Sequence, residues 1–123
     1  MNSKVVRIIG ALGALFNLEG VHAYLRHAGV VGAAAPAEAG PAMPAFVTAA
    51  FAIAVFAGVI GSIGLLLLKS WARPVLWLAF VATLVNWGWV FAYSPAASLP
   101  LGVAVIVVQL ILVVVAERSR RAA

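Results

Sequence analysis

The chain has 123 residues, of which 66% are hydrophobic and only 9% charged, and its mean hydropathy is +1.17. A water-soluble domain of this size has too little interior to bury so much apolar surface, so the composition predicts one domain surrounded by lipid. The formal net charge is +5, but the basic residues stand beside apolar segments, which favours a role in membrane topology over nucleic-acid binding. The absence of cysteine excludes disulfides, thiolate metal sites and cysteine nucleophiles.

The first predicted membrane helix covers residues 5–27 and carries an amide, a carboxyl and an imidazole within six positions. At 100° per residue, its small residues share one face with Asn17, whereas Glu19, His22 and Arg26 lie opposite and can contact one another. A charged carboxyl at the centre of a bilayer costs about 2.5–3.5 kcal/mol on insertion scales, so Glu19 is a candidate site for a proton or a cationic ligand. Two other interpretations stay open: hydrated pairing with Arg26 through His22 near the exterior surface, and contact with a partner subunit.

The N-terminal segment also has an alternative interpretation as a secretory signal peptide. A short basic lead, residues 1–7, precedes an apolar run, and the small residues around His22 resemble a cleavage site. The segment that follows the first helix, residues 29–44, is rich in Ala, Gly and Pro and is predicted to be an exterior loop.

Three further apolar segments follow, at residues 45–68, 74–93 and 99–116. Each has a stripe of small or polar residues at spacings of three and four, which predicts close packing between membrane helices. The stripes comprise Ala50, Ala54, Ala57, Gly61 and Gly64, then Ala79, Ala82, Thr83, Asn86, Val90 and Tyr93, and finally Gly102, Val105, Gln109 and Val113. The predicted fold is therefore all-α: a polytopic membrane protein forming a single antiparallel four-helix transmembrane bundle.

Four polar residues on these stripes, Asn17, Asn86, Gln109 and Tyr93, are candidates for a polar core. Amides buried in lipid bond to each other for about 0.6–2 kcal/mol per bond, and the alternative is that they line a small polar cavity. The opposite side of the third segment is aromatic and is predicted to face lipid, or else to form a groove for a pigment, quinone or sterol. That side consists of Trp77, Phe80, Leu84, Trp87 and Phe91.

The distribution of basic residues predicts the orientation of the bundle. With four spans, seven of the eight Lys and Arg residues fall on one side and only Arg26 on the other. The seven include those of the basic tail, residues 117–123. This asymmetry predicts that both termini are cytoplasmic in a multi-pass protein of the bacterial inner (plasma) membrane.

The sequence contains no signature of catalysis. It has neither a Gly-rich phosphate loop nor a nucleophile elbow, so we expect no enzymatic activity and no cofactor. Glu19 and His22 have the spacing of a di-iron motif, but such sites need the motif twice with two further carboxylates, so no metal site is predicted. The expected partners are the lipid bilayer and other membrane subunits or a second copy of the chain, without nucleic acid.

Several short motifs resemble a group of small four-span bacterial inner-membrane proteins, some of which are labelled as sugar transporters. They are Phe16-Asn17-Leu18 with Gly20 and Tyr24, Pro44-Ala45-Phe46, the segment 54–61, and Trp71-Ala72-Arg73-Pro74. The resemblance implies a four-span fold, and the chain departs from the group at Phe16, where its members carry Trp. The layout is also similar to that of small multidrug exporters, which have four spans and one glutamate in the first.

Three functional hypotheses follow. The first is an accessory or scaffold subunit of a larger membrane complex, supported by two-faced helices without catalytic residues. The second is a small proton-coupled or cation transporter that uses Glu19. The third, a membrane enzyme acting on lipid, has the least support.

Overall fold

The structure is a computed structural model that describes residues 2–27, 44–93 and 99–122. This part of the chain consists of four α-helices and no strand: α1 (Ser3–His27), α2 (Ala45–Leu66), α3 (Ala72–Tyr93) and α4 (Leu99–Ala122). Each helix contains a segment long and apolar enough to cross a membrane. The predicted all-α, four-helix transmembrane fold is confirmed, whereas the predicted exterior loop lies outside the described residues except for Pro44.

The second helix ends earlier than predicted because the chain turns sharply after Leu66. Leu68 adopts a left-handed conformation with a φ of 57°. The Lys69 N–H donates to the Gly64 carbonyl at 2.8 Å, and the Leu68 N–H donates to the Leu65 carbonyl at 3.0 Å. These two bonds form a Schellman motif, which satisfies carbonyls that the end of the helix leaves free.

The last two helices are both longer than predicted. The third begins at Ala72, so Pro74 lies in its first turn, where the missing N–H breaks no helical bond. The fourth continues to Ala122, so Glu117 belongs to the helix and not to a separate tail. This extension gives Glu117 a defined direction towards α3.

Packing in the bundle is centred on α2, which makes extensive contacts with both α1 and α3, whereas α4 packs mainly against α3. Half of the apolar segment of α2 is buried, against 17% in α1. The backbones of α1 and α2 approach each other closely: a Cβ placed on Gly10 would lie 2.6 Å from the backbone nitrogen of Leu66.

The predicted small-residue stripes face the interior of the bundle. All five stripe residues of α2 are buried, as are Ala79, Ala82, Thr83, Asn86, Gly102, Gln109 and Val113. Of the remaining stripe residues, Val90 and Val105 are partly buried and Tyr93 is 60% exposed. Small residues therefore mark the contact faces of the helices, as close backbone approach in a membrane requires.

The two ends of the bundle are packed differently. The termini end, which holds both chain termini and the turn at residues 67–71, contains a dense cluster of buried apolar residues. It consists of Val6, Leu65, Ala72, Leu76, Leu112, Val113, Val115 and Ala116. The loop end, where α1 leads to α2 and α3 leads to α4, contains the buried amides and a cavity.

Candidate functional site

A cavity of about 290 Å³ lies at the loop end and is lined by all four helices. Its surface is mostly apolar, with three aromatic residues, Phe16, Phe51 and Trp87. Its polar lining consists of Asn17, Glu19, Thr83, Asn86 and Gln109. No described basic residue lines it. Its volume is at the lower end of the range for ligand sites, about 300–1,000 Å³, so it suits a ligand about the size of one substituted ring.

A chain of hydrogen bonds fixes the direction of two amides beside the cavity. The Asn17 Nδ2 donates to the Gly13 carbonyl at 2.8 Å, and the Gln109 Nε2 donates to the Asn17 Oδ1 at 2.7 Å. A backbone carbonyl can only accept, so Asn17 must turn its NH₂ group towards Gly13 and its oxygen towards Gln109. Gln109 must then turn its own NH₂ group towards Asn17, which leaves the Gln109 Oε1 pointing elsewhere.

Two buried carbonyl oxygens at the cavity have no hydrogen-bond partner in the described part of the chain. They are the Asn86 Oδ1 and the Gln109 Oε1. Asn86 is 5% exposed and Gln109 2% exposed, so neither oxygen is hydrated from bulk solvent. The nearby Thr83 hydroxyl donates to the Ala79 carbonyl of its own helix at 2.7 Å. Two residues of the polar wall of the cavity therefore each hold a buried acceptor without a donor in the described part of the chain.

Glu19 lies at the rim of this cavity and is exposed, as is His22. Within residues 2–27, 44–93 and 99–122, neither side chain makes a hydrogen bond or an ion pair, so no polar bond joins Glu19 to His22. The side chain of Arg26, the third member of the predicted cluster, lies outside the described residues. In the same part of the chain, no three His, Asp or Glu residues are grouped as a metal site would require.

The polar residues predicted for the core divide into two groups. Asn17, Asn86 and Gln109 are buried and line the cavity, so the structure brings these three together. Tyr93 lies apart from them, with its ring 5.6 Å from that of Trp89. It occupies the last residue of α3, where the helix has left the packed interior.

The aromatic side of α3 faces lipid only in part. Trp77 and Leu84 are each 42% exposed, in agreement with the prediction. Trp87 lines the cavity, and both Trp87 and Phe91 pack over Gly102 of α4. A Cβ placed on Gly102 would lie 2.6 Å from atoms of both rings, so the glycine creates the space that turns them towards α4. The prediction that this whole side faces lipid is wrong for Trp87.

A second polar contact, at the termini end, was not predicted from the sequence. Arg73 forms an ion pair with Glu117, and the Trp77 Nε1 donates to the same carboxylate oxygen at 3.0 Å. Arg73 and Trp77 are four residues apart on α3 and share one face of that helix. The spacing of Arg73 and Trp77 could have indicated a shared polar partner. The predicted fourth helix ended at residue 116, however, and Glu117 was therefore not placed on a helix that packs against α3.

Comparisons with known proteins do not assign the chain to a family. No protein-family model matches the chain, and no curated protein or solved structure is detectably similar to it. The assignment to a four-span membrane protein therefore rests on the four apolar helices. A functional proposal has to be argued from the cavity and its lining residues.

Proposed function

We propose that the chain is a small membrane transport protein that binds a cationic solute, or exchanges it for a proton, in the cavity between its four helices. The observation that carries this proposal is the composition of the cavity. Asn86 and Gln109, which line it, each have a buried carbonyl oxygen without a partner among the described residues, and Glu19 lies at its rim. No basic residue of the described chain balances these groups in the lining.

The unpartnered oxygens favour a ligand that supplies hydrogen-bond donors. A buried acceptor without a partner is unfavourable by about 1–3 kcal/mol, and a bound donor removes that penalty. The carboxylate adds attraction for positive charge where low-dielectric surroundings screen it weakly. Binding of a cation would therefore be favoured by the carbonyl oxygens that have no partner among the described residues.

In this proposal, Glu19 is the group that pairs with the cation, because its carboxyl lies at the cavity rim. The basic asymmetry of the chain supports an exterior position for the loop end in a bacterial inner membrane, where proton exchange would meet the external pH. Transport of this kind needs no cofactor and no catalytic group.

Uptake into proteoliposomes tests this function. The purified protein is reconstituted, an outward proton gradient is imposed, and entry of radiolabelled benzamidine, a stable cation with N–H donors, is followed. We expect uptake that requires both the gradient and the protein, and we expect Glu19→Gln to abolish it. Glu117→Gln is the matched control, because Glu117 lies at the termini end and should leave uptake unchanged. Uptake no faster than in protein-free liposomes, or full uptake by Glu19→Gln, would reject the proposal.

A second candidate function, an accessory subunit of a larger membrane complex, is favoured by the outer face of α1. Ile8, Leu12 and Leu15 are 52%, 62% and 64% exposed, and α1 is the least buried of the four helices. Glu19 and His22 are exposed on the same helix. Ionisable side chains beside a bare apolar face in the membrane are typical of a contact with another membrane helix.

Site-specific photo-crosslinking distinguishes the subunit from the transporter. A crosslinking residue at Leu15 should give a single stoichiometric membrane adduct in cells if α1 is a subunit contact. Leu78 of α3 is the matched control, because it is 54% exposed on another helix. Equal, diffuse labelling at both positions would count against a subunit role.

A further inference from the structure

We infer that the cavity selects ligands whose head group donates hydrogen bonds and accepts none, carried on a body about the size of one aromatic ring. Amidinium and primary ammonium compounds are the chemical class that fits. This inference rests on the proposed function for its site, but it is tested by binding and not by flux. Either can therefore fail while the other stands.

The selectivity for donors follows from the fixed direction of Gln109. Because the Gly13 carbonyl orients Asn17 and Asn17 orients Gln109, the Gln109 amide cannot rotate to offer its NH₂ group without breaking the bond of 2.7 Å to Asn17. A donor of the ligand would therefore pair with the Gln109 Oε1, and a second donor with the Asn86 Oδ1 of the neighbouring helix. A carbonyl or ether head group would place an acceptor against the fixed Gln109 Oε1 and would leave that oxygen unpaired.

The rest of the lining selects the body and the charge of the ligand. Phe16, Phe51 and Trp87 provide aromatic rings, which can pack against an aromatic body and attract a cation. Glu19 at the rim favours a positive charge. The volume of about 290 Å³ limits the body to a small one, so long-chain and fused-ring amphiphiles should be excluded.

Four probes of nearly the same shape separate donors from acceptors. Benzamidine carries only donors, benzamide a donor and an acceptor, acetophenone only an acceptor, and cumene neither. Binding of radiolabelled benzamidine to the purified full-length protein is measured by scintillation proximity, with the other three as competitors. We expect benzamidine to bind best, benzamide more weakly, and acetophenone and cumene at least about tenfold more weakly than benzamidine, the equivalent of one or two lost hydrogen bonds. Competition by acetophenone or cumene at the same concentration as benzamidine, or no saturable benzamidine binding, would overturn the inference.

Asn86→Leu tests the site without disturbing the bonded amides. The Leu side chain keeps the number of heavy atoms and the branching of Asn but lacks the oxygen that has no partner among the described residues, so benzamidine affinity should fall about five- to tenfold while cumene affinity does not fall. Gln109→Leu should also lower benzamidine affinity. Because that substitution breaks the hydrogen bond to Asn17 as well, Asn86→Leu is the decisive variant. Benzamidine affinity unchanged in Asn86→Leu would contradict the proposed contact.

A filled cavity provides the second test. Val105→Phe adds a ring to the lining and should abolish benzamidine binding, whereas Val107→Phe adds the same ring to an exposed position of the same helix and should not. Melting temperatures of both variants show whether each is folded. Equal binding by the two folded variants would place the ligand elsewhere and overturn the inference. Saturable donor-selective binding without proton-driven uptake would instead reject transport and keep the inference.

Discussion

Asn17 joins three of the four helices through one small side chain. It donates to its own helix at Gly13, accepts from Gln109 of α4, and packs directly on Gly58 of α2. It is only 2% exposed, so each of these contacts is made away from water and from lipid. The direction of the Gln109 amide depends on this residue.

The contact between Asn17 and Gly58 leads to a stability prediction. A Cβ placed on Gly58 would lie 2.1 Å from the Asn17 Oδ1, so Gly58→Ala must displace the amide. We expect a loss of about 1–3 kcal/mol in the free energy of unfolding, typical of overpacking a close contact. The measurement is SDS-induced unfolding of the purified protein in mixed micelles.

Gly88→Ala is the matched control for this substitution. A Cβ at Gly88 meets no atom within 4 Å, so the change should be neutral or stabilising by up to about 1 kcal/mol, the helix preference of Ala over Gly. Equal stability of the two variants would mean that the amide does not occupy the space above Gly58.

At the scale of the element, the end of α2 holds a residue in an unfavourable conformation. Leu68 has a φ of 57° at the position where a Schellman motif usually has Gly. A left-handed conformation is unfavourable for an L-residue by about 1–2 kcal/mol.

Leu68→Gly and Leu68→Ala both remove the Leu side chain, so the difference between their free energies of unfolding reports only the backbone conformation at this position. We expect the Gly variant to unfold about 1 kcal/mol less readily than the Ala variant, as measured by SDS titration. An Ala variant of equal or higher stability would contradict the left-handed turn.

The contact between α3 and α4 at the termini end makes a smaller contribution. The side chains of Arg73 and Glu117 are 39% and 27% exposed, so solvent and salt screen their attraction. A double-mutant cycle of Arg73→Ala and Glu117→Ala should give a coupling energy of about 0.2–1 kcal/mol that falls as salt is raised. A coupling energy above this range, or one insensitive to salt, would show that the ion pair is more deeply desolvated than its exposure indicates.

At the scale of the whole molecule, the two ends of the bundle differ in packing and in charge. The termini end combines the dense apolar cluster with most of the basic residues, whereas the loop end combines the amides, the cavity and Glu19. Positive charge is retained on the cytoplasmic side of bacterial inner membranes. The termini end should therefore face the cytoplasm and the cavity the exterior half of the bilayer.

Labelling of introduced cysteines tests this orientation. The chain has no native cysteine, so Glu38→Cys and Ser119→Cys each create a single reactive position. In intact cells, a membrane-impermeant maleimide should label position 38 and should label position 119 only after the membrane is permeabilised. Labelling of both positions from outside would contradict the four-span topology.

The sequence by itself determined the class of protein, the helices and their contact faces. Apolar length and composition require a lipid environment, and small residues such as Gly61 and Gly64 mark contact faces because only they permit close backbone approach. These properties are local, since they depend on a helix and its solvent and not on the neighbour that it meets. The buried positions of Asn17, Asn86 and Gln109 were predictable for the same reason.

Only the tertiary structure decided which polar groups meet. The sequence grouped Glu19 with His22 and Arg26 by helical spacing, but the structure sets Glu19 at the rim of a cavity that α2, α3 and α4 complete. It also left Tyr93 outside the amides and brought Glu117 to Arg73 across two helices. Helical periodicity specifies the face of a residue but not the rotation and height of the neighbouring helix. The rotation and height of a helix depend on how its side chains pack against glycines such as Gly58 and Gly102. The same packing leaves the Asn86 and Gln109 carbonyl oxygens without partners among the described residues.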